Sequence, residues 1–121
     1  MDELSIRSAQ QQELAAMRAI FLDDWRDLPP VRTAWGTRGE EGWWIVRLKR
    51  HDGLVGVGLK GRLTKGYPAE VPSLSVVEPV LVSPEQVRTL TRLVQEFAKT
   101  RRGQPMLFEV GAAMRRVLGK R

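Results

Sequence analysis

A chain of 121 residues with an apolar share of 42% and a net charge of +6 is long enough to bury one core and too short for two domains. It contains no cysteine, which excludes disulfides, thiolate catalysis, thioester formation and zinc fingers. No apolar run approaches the ~20 residues that cross a bilayer, and the start, Met1-Asp2-Glu3-Leu4, lacks the basic-then-apolar order of a signal peptide, so a cytoplasmic protein is expected.

The charge is uneven. The stretch 1–28 is acidic on balance, with Asp23, Asp24 and Asp27 clustered at its end. The last third is basic, through Arg88, Arg92, Lys99, Arg101, Arg102, Arg115 and Arg116.

In chain order, Ser8 to about Leu22 reads as a first helix. Leu14, Met17, Ile20 and Phe21 recur at helical spacing, and Ser8 suits an amino-terminal cap. Leu28-Pro29-Pro30 stops that helix and opens a flexible linking loop over 29–42, which Trp25 and Trp35 pin from either side. Trp43 to Arg50 alternates as a strand, with Trp44, Val46 and Leu48 on one face. Trp43 and Trp44 must then face opposite ways, one into the core and the other toward a loop or solvent. His51-Asp52-Gly53 is a hairpin turn, and Leu54 to Leu63 is the returning strand.

Tyr67-Pro68-Ala69-Glu70-Val71-Pro72 is a stiff turn in which each proline fixes its own φ. Ser73 to Val77 is a further strand. Ser83-Pro84-Glu85-Gln86 carries a serine cap, a proline at the first helical position and a glutamine placed for a capping box. The helix it opens has an apolar stripe through Val87, Leu90, Leu93, Val94, Phe97 and Ala98, with Arg88, Arg92 and Lys99 opposite. Gly103 ends it, and a last helix runs from Pro105 to about Leu118.

The connections between strands are too short for crossover helices. The fold class that follows is α+β, a two-layer sandwich. An antiparallel meander of three to four strands is covered on one face by helices, in the order α-β-β-β(-β)-α-α.

Little in the sequence points to catalysis. Gly56-Val57-Gly58-Leu59-Lys60-Gly61 matches the glycine fingerprint of dinucleotide sites, but no helix opens after it. The glycines read instead as close backbone packing or a bulge inside a strand. His51, the single histidine, sits in a turn with no nucleophile signature near it and reads as exposed. Neither cofactor nor metal site is expected. No aromatic interleaves the basic helix stripe, which argues against direct nucleic-acid binding. Asp23, Asp24 and Asp27 at the carboxyl end of a helix are electrostatically unfavourable there. With Glu13 they form the candidate partner-binding surface.

Three groups of residues carry a family resemblance. They are the turn Tyr67, Pro68 and Pro72, the break Gly103 through Glu109, and Glu13-Leu14-Ala15-Ala16-Met17-Arg18-Ala19-Ile20-Phe21. Together they resemble an RWD domain over about residues 10–118, nearly the whole chain. Ile20 through Leu28, with Trp35, is similar to the amino-terminal RWD domains of fungal general-control kinases, which phosphorylate a translation initiation factor during amino-acid starvation. The resemblance implies the ubiquitin-conjugating fold without its catalytic cysteine, no enzymatic activity, and a role in recruitment to a large ribosome-associated helical-repeat coactivator protein. Tyr67, Pro68, Pro72 and Gly103 are then structural. Homodimerisation stays open. So do two alternatives: a basic module that touches nucleic acid or the ribosome, and an RWD domain of another protein that docks on the same coactivator.

Overall fold

The alternating apolar residues build the centre of one antiparallel sheet. The computed structural model of the chain describes residues 3–33, 36–38 and 42–119. The long strands are β4 (Trp44–Lys49), β5 (Gly56–Arg62) and β6 (Ser73–Val80), and a short β1 (Trp25–Asp27) completes the sheet order β1-β4-β5-β6. All neighbours are antiparallel, with Trp25 opposite Val46, Leu48 opposite Val57, and Leu59 opposite Val76. Helix α1 (Glu3–Phe21) is followed by a 3-10 turn (Leu22–Asp24); α2 (Pro84–Thr100) and α3 (Leu107–Gly119) come after the sheet. The helices cover one face, where Met17, Phe21, Trp44, Val46, Leu48, Val57, Leu90, Val94, Leu107 and Met114 form a continuous core. This is the α+β architecture and element order that the sequence indicates.

Several local expectations are corrected. Helix α1 begins at Glu3, so Ser8 lies inside it and is not its cap. It ends at Phe21, ahead of the proline pair, because Leu22 adopts a left-handed φ of 51° that reverses the chain into β1. Ile20 is 53% exposed, one position off the inward stripe of half-buried Gln10 and Glu13 and buried Met17 and Phe21. Leu93 is also exposed, at the lip of the groove between α2 and α3. The stretch 29–42, expected as a flexible loop, carries a second ladder between β2 (Val31–Thr33) and β3 (Gly36–Arg38). Trp35 lies outside the described residues. Trp25 joins the core instead of pinning a loop, its ring stacked on Trp44 at 4.7 Å.

The glycines of β5 do pack closely. A Cβ at Gly61 would stand 2.5 Å from the Trp44 ring, and one at Gly58 would press on Ile45 and Val77 at 3.0 and 3.1 Å. The bulge falls on the partner strand. Gly58 and Gly56 pair with Val77 and Val80, which leaves one extra residue on β6, where Glu78 has a φ of 49°. With no side chains at Gly56 and Gly58, Arg47 on β4 reaches across β5 and donates to the Glu78 carbonyl and carboxylate on β6. Arg26 on β1 donates to the same carboxylate through one nitrogen, at 2.8 and 2.9 Å. These bonds from Arg26 hold the Glu78 carboxyl below its ordinary range.

Just past the same end of β6, Ser83 accepts from the Gln86 amide and Gln86 from the Ser83 amide, a complete capping box. Arg88, Arg92 and Lys99 stand exposed on the outer side of α2.

Candidate functional site

The stiff turn and the two terminal helices meet at one phenol. Tyr67 is fully buried, and its peptide bond to Pro68 is cis. Its hydroxyl donates to Glu13 Oε2 on α1 at 2.8 Å and accepts the Met106 amide at 2.7 Å. The same Glu13 oxygen accepts the Leu107 amide at 3.1 Å, an otherwise unsatisfied donor at the start of α3. Gln10, one turn earlier on α1, donates to the carbonyls of Thr64 and Tyr67 at 3.1 and 3.0 Å. The Gly103 amide, at a φ of 96°, donates to the Pro68 carbonyl at 2.7 Å. Tyr67, Pro68 and Gly103 therefore belong to one network, and Pro72 is buried at the turn's far end. Burial, reinforced by the Glu13 carboxylate, pushes the Tyr67 phenol above its usual range, so it keeps the proton it donates.

The sequence groups Glu13 with the three aspartates. The structure separates them, since Glu13 is committed to the Tyr67 network. Gln10 belongs to that network too and was missed, although it precedes Glu13 by three residues on the same helix face.

The aspartates follow α1, on the 3-10 turn and β1, and two of them are matched by cations. Arg18 makes two parallel bonds to Asp27, both 2.9 Å, and the Trp25 indole donates to Asp27 at 3.1 Å. These bonds, from Arg18 first, hold the Asp27 carboxyl below its ordinary range. Lys49 on β4 lies 3.2 Å from Asp24. The electrostatic cost expected at a helix carboxyl end is thus offset twice over. Asp23 differs: it is exposed and has no ion pair among the described residues. Beside it stand two exposed apolar side chains, Ile20 at 53% and Leu22 at 71%, the latter on strained backbone. Exposed apolar groups around an unmatched carboxylate make a surface suited to binding.

His51 is exposed in its turn. Among the described residues no group of His, Asp or Glu is placed to hold a metal ion. No helix among them is long and apolar enough to cross a membrane.

Comparison with known proteins agrees with this geometry. The family model of the RWD domain matches residues 8–117. The eIF-2-alpha kinase GCN2 of Schizosaccharomyces pombe is 28% identical over 109 residues, a match that covers 88% of this chain and 7% of the kinase. The chain thus spans a small part of that relative's length. The solution structure of the RWD domain of mouse GCN2 superimposes with a TM-score of 0.80 at 28% identity, covering 94% of this chain and 85% of the mouse domain. The buried Tyr67, its cis bond to Pro68 and the helix-covered antiparallel sheet stand with these matches, and the chain belongs to the RWD domain family.

Proposed function

We propose that this RWD domain is the recruiting module of a translational-control protein kinase and docks it on a ribosome-associated helical-repeat coactivator during amino-acid starvation. The observation that carries the reading is a likeness to GCN2 along nearly the whole domain, in sequence to the yeast kinase and in fold to the mouse domain. Its contact face is the corner after α1, where Asp23 stands unmatched between Ile20 and Leu22. An apolar centre with one free carboxylate selects a partner that brings apolar side chains and a cation. Asp24 and Asp27 frame that corner through their pairs with Lys49 and Arg18, and Glu13 contributes from inside by fixing α1.

The test is a titration of the coactivator's binding region with wild-type domain, Asp23→Lys and Leu22→Ser. Each variant should weaken binding by about tenfold or more, as loss of a central contact does, with melting close to wild type. Unchanged binding by both would remove the corner from the interface.

A further inference from the structure

A cavity of about 500 Å³ lies between the end of α3 and the β4–β5 turn, lined by Asp24, Lys49, Arg50, His51, Arg115 and Arg116 among others. Its walls come from separate parts of the chain. Lys49 is on β4, Arg50 and His51 open the turn, and Arg115 and Arg116 lie on the last turns of α3.

Two of the cations are already matched. Lys49 pairs with Asp24, and Arg50 pairs with Asp52 beside the cavity. The others are not. Arg116 and His51 have no hydrogen-bond or ion-pair partner among the described residues, and Arg115 lies over the Phe21 ring at 5.4 Å with its charge unneutralised. Cations in the last turn of a helix are favourable on their own account. That accounts for the arginines on α3 but not for the unpaired His51 that joins them in the lining.

We propose that this cavity is an anion-binding site for a small ligand carrying several phosphate groups. Guanidinium groups match phosphate oxygens with paired donors, and donors from three directions suit several phosphates in one compact molecule. The volume falls in the range of small-ligand sites, about 300–1,000 Å³. The one ring on its lining is the His51 imidazole, and no Phe, Tyr or Trp joins it, so successive bases of a single strand would find no run of stacking platforms. The cavity adjoins the coactivator corner at the Asp24–Lys49 pair, but Ile20, Leu22 and Asp23 do not line it.

Calorimetric titration of this chain with sodium tripolyphosphate, at constant ionic strength, tests it. One-to-one binding is expected. Arg116→Glu should weaken it by about tenfold or more, while Arg88→Glu, the same charge change on the exposed face of α2, should leave it within about twofold. If Arg116→Glu loses its melting transition, Arg116→Gln is compared with Arg88→Gln in its place, with the same expectation. Equal weakening by the α2 and α3 variants would reduce the effect to bulk charge and overturn the site, as would absence of binding at millimolar tripolyphosphate. A 20-nucleotide oligouridine that binds more tightly than tripolyphosphate would mark an RNA surface and overturn the small-ligand assignment.

Discussion

Tyr67 shows what one hydroxyl can do between two helices. It donates a hydrogen bond to Glu13 and accepts one from the Met106 amide. Tyr67→Phe keeps the ring but leaves a buried amide unpaired, and should cost about 1–3 kcal/mol in chemical denaturation. Tyr67→Ala adds a cavity and should cost about 3–5 kcal/mol. A smaller loss from the alanine variant than from phenylalanine would contradict the packing role. Acid should act elsewhere, through Asp27 and Glu78. Their folded-state pKa values are depressed by Arg18 and Arg26, so their contribution is present above the ordinary carboxylate pKa of ~4 and is lost as pH falls below it. Melting temperature should therefore decline between about pH 4 and pH 2, and Asp27→Asn should flatten part of that decline. The importance of Tyr67 was legible from its two flanking prolines. The role of Glu13 was legible too, since it shares a helix face with Met17 and Phe21, but its charge drew it into the acidic group. The exposure of Leu22 was not legible, because a left-handed leucine has no sequence signal.

At the scale of the element, β5 depends on having no side chain at three of its seven positions, Gly56, Gly58 and Gly61. Gly61 lies under the Trp44 ring and Gly58 between Ile45 and Val77, so a methyl group at Gly61 has nowhere to go. Gly61→Ala should lower stability by about 2 kcal/mol or more, as overpacking does. Gly53→Ala, in open space but at a φ of 74°, should cost only the backbone strain, about 1 kcal/mol. Reversal of that order in urea titrations would show that β5 shifts to make room. The long elements were readable because each spans several periods: β4, β5, α2 with its complete capping box, and α3. Strands of three residues have no period to read. β1 exists because Trp25 pairs with Val46 and stacks on Trp44, and the β2–β3 ladder joins two polar triplets; both are fixed by their partners. The start of α1 was hidden for a related reason. Its first turns are exposed, so no apolar stripe marks them before Gln10.

For the whole molecule, a net charge of +6 invites comparison between a protein partner and a nucleic acid. The contact proposed at Ile20, Leu22 and Asp23 is largely apolar. Coactivator affinity should fall by less than about tenfold between 50 and 200 mM salt, since one exposed charge pair is weakly screened there. A loss of about a thousandfold, the behaviour of a protein that neutralises many phosphates, would point to nucleic acid as the partner. The basic residues are dispersed over the outer side of α2, the end of α3 and the open face of the sheet, which is why composition alone did not locate a surface.

The bond from the Leu107 amide to Glu13 joins positions 94 residues apart. During synthesis α1 emerges ahead of the sheet, and the Met106 and Leu107 amides that bond Tyr67 and Glu13 follow only when the start of α3 has left the ribosome. Until then α1 can reach the Tyr67 turn through Gln10 and Glu13, but it lacks those two amides and the α3 face to lie against. The domain cannot mature progressively from its amino terminus. It closes in one late, cooperative event governed by its most distant contacts, at a rate limited by topology more than by helix formation.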